Sequence, residues 1–198
     1  MRHVRGLLVI GTGARDGGKE GNRRSHDRRF ERGASLVEFA LILPIVVVLM
    51  IGIVTGGIGL NRNISLNNSA REAARYGATL PVNGDMTAWL NAVKDVAITA
   101  ATGELDDGEA GRTVCVAFVY PDGGSPTDQT TRLELDAAGV VTITTGNVNN
   151  TCVIDGRPDG ERRVQVRVNR ETELDVVFWS RVLTLEADST ARFEREGL

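Results

Sequence analysis

The feature that most constrains this chain is an apolar run from Leu36 to Leu60 that contains a single charged residue, Glu38. As an α-helix, these 25 residues measure about 37 Å, at about 1.5 Å per residue. A bilayer has a hydrocarbon core about 30 Å thick, so the run is long enough to cross it with some tilt. It exceeds the apolar core of a cleaved secretory signal, which has about 7–15 residues. It also lacks the polar face of a buried core helix. The sequence therefore predicts a transmembrane helix.

Charge is divided unevenly along the chain. Residues 1–33 hold nine Lys and Arg against four Asp and Glu, whereas the remainder holds 14 against 22. Because basic residues flank the cytoplasmic side of membrane helices, the N-terminus is expected in the cytoplasm and the residues beyond about 60 outside it. The charge asymmetry suggests a basic segment held near an anionic membrane surface, so membrane lipid is an expected partner. Nucleic acid is not expected, because the acidic body would repel its phosphate groups.

The apolar run has internal features that bear on helix packing. Pro44 removes a backbone hydrogen bond and is expected to bend the helix. Gly52 and Gly56 form a small-xxx-small pair that would let another helix approach, although glycine is also simply common in membrane helices. The polar stretch 61–76 keeps helical propensity, and Gly77 is the expected C-cap.

The remainder of the chain predicts a small α+β domain. Asp85 is expected to cap a helix from Met86 to about Thr102, with a core stripe of Trp89, Val93, Val96 and Ala100. Pro121 to Gln129 is expected to be a loop. Alternating apolar residues predict a mostly antiparallel sheet. Its strands are expected at Thr113–Tyr120, Arg132–Leu135, Val140–Thr144, about 163–168 and about 183–193.

Cys115 and Cys152 are the only cysteines. Outside the cytoplasm, two cysteines on neighbouring segments are expected to form a disulfide. Such a bridge would close a loop of about 37 residues and contribute about 3–4 kcal/mol in the chain-entropy description. The alternative is two buried free thiols.

Catalytic and metal-binding signals are weak. Both histidines, His3 and His26, precede Gly33, so the remaining chain lacks a histidine for a triad or a zinc site. The leader segment Gly13–Lys19 imitates a phosphate loop, but Glu20 stands where Ser or Thr would hold magnesium. Residues 155–161 lack the ligand spacing of a calcium loop and are expected to form a solvated hairpin turn, and Asp106, Asp107 and Glu109 a loop face. We expect no catalytic residue, metal or cofactor.

Two groups of residues carry a family resemblance. The first is Arg32-Gly33-Ala34 with Glu38-Phe39-Ala40-Leu41 and Pro44, and the second is residues 70–77, Ala-Arg-Glu-Ala-Ala-Arg-Tyr-Gly. Together they resemble the TadE-like pseudopilins of the tight-adherence (Flp-type) pilus machinery. Residues 187–194 fit the usual ending of the family more weakly, and the leader is longer than is typical.

The resemblance implies that a prepilin peptidase cleaves between Gly33 and Ala34 at the cytoplasmic face. The new ammonium group of Ala34 would lie four residues before Glu38, on the same helix face, where the two charges can pair. The alternative is that Glu38 only sits at the interface, favoured by the helix dipole. The implied organisation is a leader at 1–33, a helix at 34–77 and an extracytoplasmic domain at 78–198.

The implied role is that of a minor pseudopilin or pilus-assembly subunit in the inner membrane, not an enzyme, acting in pilus biogenesis, adhesion or secretion. Its partners would be other pilins and pseudopilins and the Tad inner-membrane assembly proteins. Two alternatives stay open. One is an anchored, exported ligand-binding domain. The other is an exported hydrolase, which would need two carboxylates about 5–9.5 Å apart in a cleft.

Overall fold

The computed structural model describes residues 23–120, 129–147, 150–157, 161–176 and 179–194. By its internal contacts the chain divides into two units, residues up to Val47 and residues from Val48. The expected domain boundaries after residues 33 and 77 stay a prediction. Of the loop expected from Pro121 to Gln129, residues 121–128 lie outside the described residues, and Gln129 is instead the first residue of a strand. The elements are α1 (Arg23–Thr79), α2 (Met86–Ala100), β1 (Thr113–Tyr120), β2 (Gln129–Leu135), β3 (Val141–Asn147), β4 (Arg163–Val176) and β5 (Trp179–Arg192).

Helix α1 is longer at both ends than the sequence suggested. It begins at Arg23, inside the charged leader, because one glycine at position 33 costs only about 1 kcal/mol and does not end a helix. The expected C-cap at Gly77 is wrong, since the helix continues to Thr79. A Cβ atom at Gly77 would lie 3.0 Å from Val164 and from Val93 and 3.1 Å from the Trp89 ring. Gly77 therefore allows close packing rather than a change of chain direction.

Helix α2 begins where it was expected to begin. The Asp85 carboxylate accepts a hydrogen bond of 2.9 Å from the backbone N–H of Ala88, which satisfies one of the free donors of the first turn. The buried face differs by about one position from the expected one, because Leu90 and Ala97 are buried whereas Val96 and Ala100 are only partly so. Helix α2 packs on β1 and β2 and also contacts α1, where the Ala97 carbonyl accepts a hydrogen bond from Ser69.

The five strands form one antiparallel sheet in the order β3-β2-β1-β4-β5. The hairpin expected around residues 137–139 is confirmed, and Asp136 accepts hydrogen bonds there from the N–H groups of Ala138 and Val140. With a long apolar helix preceding a domain in which a helix packs on this sheet, the predicted α+β class is confirmed.

The β4–β5 hairpin is much longer than expected. Its register runs from Arg163 opposite Arg192 to Val176 opposite Trp179, so both strands extend well past the apolar segments recognised in the sequence. Polar residues such as Glu171 and Glu173 have low β-propensity and concealed this extension.

The core lies on the helical face of the sheet. Phe118 of β1 contacts the rings of both Trp89 and Phe193 edge to face, with centroid distances of 5.2 and 5.0 Å. The Trp89 indole N–H donates to the Leu80 carbonyl at 3.1 Å, so its one polar group is satisfied. The buried Ser69 hydroxyl donates to the Ala97 carbonyl at 2.7 Å and joins α1 to α2.

Replacing Gly77 with leucine tests the close approach of α1. Helix propensity alone favours leucine by about 0.8 kcal/mol, so a loss of stability reports packing. We expect Gly77→Leu to lower the free energy of unfolding by about 1–3 kcal/mol through overpacking. The measurement is denaturant unfolding of the detergent-solubilised protein, followed by tryptophan fluorescence. The control, Arg75→Leu on the exposed face, should change stability by less than about 0.5 kcal/mol. Equal stabilities for the two variants would contradict the packing.

Candidate functional site

The first part of the candidate site is the residue pair expected to be cleaved. The backbone at Gly33 and Ala34 is helical, ten residues after the start of α1. The expectation that the helix begins at this bond is therefore wrong. Backbone groups inside a helix are bonded to residues four positions away, so the bond between Gly33 and Ala34 becomes extended only if α1 unwinds locally. Glu38 is exposed one turn beyond Ala34.

The apolar part of α1 presents side chains on all sides. Its most apolar 18-residue window has a mean hydropathy of 2.9, and none of that window is buried. Ile53, for example, is 75% exposed. Pro44 lies inside the helix without ending it. A Cβ atom at Gly52 or Gly56 would have no neighbour within 4 Å, so the surface around both glycines is open. By length and composition, this segment can cross a membrane.

The polar extension of α1 has two distinct faces. One is made of small and apolar side chains that are fully buried inside the domain, namely Leu66, Ser69, Ala70, Ala73 and Ala74. This face is occupied by α2 and the sheet, and so is unavailable to another subunit. The opposite face is exposed and carries Ile64, Asn68, Arg71, Glu72, Arg75 and Tyr76.

A cluster of charges fixes the extension to the rest of the domain. Arg170 on β4 forms ion pairs with Glu104 and with Glu109, both in the loop between α2 and β1. Glu104 also lies 3.6 Å from Arg62 of α1, two residues after the apolar run. The cluster therefore joins α1, the loop and β4. Glu109, expected on a solvated loop face, is instead an ion-pair partner.

The same loop is held at a second point. The N–H of Glu171 donates to the Ala110 carbonyl at 3.0 Å. Gly111 has a φ of +59° in the left-handed region, and a Cβ atom there would lie 2.2 Å from the Glu171 side chain. Only glycine both adopts this left-handed conformation without strain and leaves room for the Glu171 side chain. Asp107 stays on the exposed loop face, as expected, and from there it pairs with the buried Arg112.

The segment 150–157 covers part of the outer face of the sheet, where Cys152 and Val153 pack against Ala117. Cys152 forms the expected disulfide with Cys115 of β1, with a Cα–Cα distance of 5.8 Å. The Gln165 amide fixes Val153 at both backbone groups, donating to its carbonyl at 2.9 Å and accepting from its N–H at 3.3 Å. A polar side chain buried in mid-strand is thereby satisfied.

Asp155 departs from the expected solvated turn. Its carboxylate lies 3.0 Å from the Arg163 guanidinium and accepts from the Gln165 amide at 2.8 Å, with both ionic side chains largely buried. Burial alone would raise the pKa of Asp155, but the Gln165 and Arg157 hydrogen bonds and the charges of Arg163 and Arg157 lower the pKa below 3.8. The lowered pKa contributes stability above pH 3.8, and this is lost as the pH falls through the folded-state value. Residues 158–160 lie outside the described residues.

A groove on the outer face next to the disulfide contains Arg132, Glu134 and Arg167. Glu134 lies 3.0 Å from Arg132, and Arg167 lies 3.0 Å from Glu186. Glu134 and Glu186 are thus engaged by arginines, and Asp136 of the same groove accepts from backbone N–H groups. This does not favour paired carboxylates acting as acid and base.

Sequence reasoning missed the arginine-centred contacts. Arg170 and Glu109 are 61 residues apart, and no local pattern connects them. The one usable signal was the position of Arg62 directly after an apolar run, where a cation needs a partner or water.

Arg170→Ala tests the charge cluster. Removing the guanidinium leaves Glu104 without its ion-pair partner on β4 and exposes the loop to water. We expect the free energy of unfolding to fall by about 2–4 kcal/mol, below the range for fully buried pairs because Glu109 is 37% exposed. The control is Arg192→Ala, whose 75% exposed side chain lies 3.4 Å from Glu161 and should contribute less than about 1 kcal/mol. Denaturant unfolding of both variants measures the difference. If the two variants lose similar amounts of unfolding free energy, the Arg170 ion pairs do not hold α1, the loop and β4 together.

Comparison with known proteins gives a family match. No curated protein and no solved structure matches the chain. The family model described as TadE-like protein matches residues 33–75, which begin at the expected processing site and end in the exposed extension of α1. The predicted resemblance is thereby confirmed: residues 33–75 are similar to the TadE-like family and are called the TadE-like segment below.

Proposed function

We propose that this chain is a single-pass minor pseudopilin or pilus-assembly subunit of a Tad (Flp-type) system, anchored in the inner membrane. The TadE-like segment supports a Tad pilus-associated protein. The single observation that carries the finer assignment is α1 itself. Its apolar part is exposed on all sides, and its polar part is built into the core of the following domain.

That arrangement suits a subunit that acts by packing against lipid and other helices and does not catalyse a reaction. The apolar part of α1 offers lipid and neighbouring helices a surface with two open glycines, Gly52 and Gly56, four residues apart. Its partners are other pilins and pseudopilins and the inner-membrane assembly proteins of the Tad system. No enzymatic step is assigned to the chain.

The proposed orientation has the N-terminus in the cytoplasm and the α+β domain outside it. The excess of basic residues before α1's apolar part supports this direction. The Cys115–Cys152 disulfide supports it independently, because such bridges persist in oxidising compartments.

Processing is proposed between Gly33 and Ala34 by a prepilin peptidase. A bulky side chain at position 33 should block the protease subsite, so Gly33→Leu is expected to keep all 33 leader residues while the wild type loses them. The measurement is intact mass and N-terminal sequencing after co-expression with the peptidase of a Tad system. Gly21→Leu, within the leader, is the matched control and should be processed normally. A mature Gly33→Leu product that begins at Ala34 would contradict the proposal.

Glu38 is proposed to pair with the ammonium group that cleavage creates on Ala34, in its own chain or in a neighbouring one. Glu38→Gln removes the charge with little change in shape. We expect normal cleavage but about tenfold weaker association with co-expressed Tad pilins, equivalent to about 1.4 kcal/mol for a charge-assisted hydrogen bond. Quantitative co-purification from solubilised membranes measures the change. Glu72→Gln, on the exposed face of the polar extension, should leave association unchanged. If Glu38→Gln associates with the pilins as strongly as the wild type does, Glu38 does not have the proposed pairing role.

A further inference from the structure

Strand β3 forms one edge of the sheet. It pairs with β2 on one side, and within the described residues no strand pairs with it on the other side. The side chains of residues 140–145 are all exposed. An edge strand leaves a row of backbone N–H and C=O groups open, and a strand from another molecule can pair with them.

The hydrogen bonds at the β2–β3 turn identify which backbone groups are open. Asp136 and Val140 form a hydrogen-bonded pair, because the Asp136 N–H donates to the Val140 carbonyl at 3.1 Å. Hydrogen-bonded and non-hydrogen-bonded pairs alternate along an antiparallel ladder, and the register continues without a break through β3. Even-numbered residues of β3 therefore turn their backbone groups toward β2, and odd-numbered residues turn theirs away from it. The outward residues are Val141, Ile143 and Thr145.

The same outward residues carry apolar side chains that are partly uncovered. They lie on the core face of the sheet, since Ile143 is opposite the buried Leu133 of β2. Helix α2 packs on β1 and β2, whereas Val141 and Ile143 are 40% and 37% exposed. Open backbone groups and exposed apolar surface thus coincide on this strand.

Strand β3 also lacks the charges that commonly protect edge strands. Residues 137–147 contain no charged residue and no proline. The other edge strand, β5, differs because it carries the exposed residues Arg181, Glu186 and Asp188. Charged side chains on an edge strand oppose pairing with a further strand. Of the two edges, β3 is therefore the one suited to such pairing.

A second copy of the chain fits this edge because β3 is complementary to itself. If two β3 strands run antiparallel about a two-fold axis at Ile143, that residue lies opposite its own copy and Val141 lies opposite Thr145. Only outward backbone groups then meet, and each such pair exchanges two hydrogen bonds. On the other face of the sheet, Thr142 lies opposite Thr144, a favourable cross-strand pair. A two-fold contact brings a strand beside itself, so an uncharged strand meets no like charge.

We propose that β3 pairs with β3 of a second copy of this chain, antiparallel about Ile143, and joins the two sheets edge to edge in a dimer. A two-fold contact of this kind closes on itself and does not extend into a fibre. The proposed dimer contact is separate from the packing of α1 and does not depend on the proposed pilus function.

Single cysteines test the register directly. Cys115 and Cys152 are the only natural cysteines and are bonded to each other, so an introduced cysteine is the only free thiol. The full chain with Ile143→Cys, Val141→Cys or Thr145→Cys is solubilised in a mild detergent, treated with an oxidant and separated on a non-reducing gel. In the proposed dimer, the Cα atom of residue 143 lies about 5.5 Å from its copy, whereas residues 141 and 145 lie about 14 Å from theirs.

We expect Ile143→Cys to give at least about fivefold more disulfide-linked dimer than either other variant, because only Cα atoms within about 7 Å can be bridged. Equal yields at the three positions would indicate random collision or parallel stacking and would overturn the proposal. A higher yield at position 141 or 145 than at 143 would show a different register and would also overturn it. So would the absence of a dimer from Ile143→Cys.

Charges at two exposed threonines give a second test in the Ile143→Cys chain. Thr142 and Thr144 would lie opposite each other across the dimer, so lysine at both positions places like charges together. We expect Thr142→Lys with Thr144→Lys to lower the yield of linked dimer about fivefold. The matched variant, Thr142→Lys with Thr144→Glu, places opposite charges there and should restore the yield. Equal yields from these two variants would contradict the proposed pairing.

Discussion

One helix must satisfy two different environments, and the remainder of the structure follows from that. In its apolar part, α1 exposes side chains in every direction, as a lipid environment requires. Beyond Leu60 the same helix presents one buried face to α2 and the sheet and one polar face to water. No loop separates the two parts, so the domain is built directly onto the helix that precedes it.

The small residues of the polar part make this construction possible. Ala70, Ala73, Ala74 and Gly77 have little side-chain volume, so α1 approaches its neighbours closely and the large side chains come from elsewhere. Phe118, Trp89 and Phe193 supply them as a chain of edge-to-face contacts. A protein with 5% aromatic residues thus concentrates three of its rings at one place.

Features with a local cause were predictable from the sequence. The apolar run, the Asp85 cap, the limits of β1 and the Ala137–Gly139 turn each depend on a few consecutive residues, and the structure contains all of them. Gly77 was misassigned because glycine serves both as a C-cap and as a close-packing residue, and only tertiary contacts distinguish the two. The Arg170 cluster was not predictable, since its partners come from three separated segments. Within the candidate site, residues 33–75 were recognisable as a motif, whereas the packing of Gly77 against Val164 depends on long-range contacts.

The two contacts of α1 with β4, at Gly59 and at Gly77, also bear on how the domain responds to force. A pull on the helix toward its N-terminus acts on both contacts and on the ion pair between Arg62 and Glu104. Resistance to forced unfolding depends on the unfolding rate and not on equilibrium stability alone, so these contacts matter mechanically to the extent that they break before the transition state for unfolding.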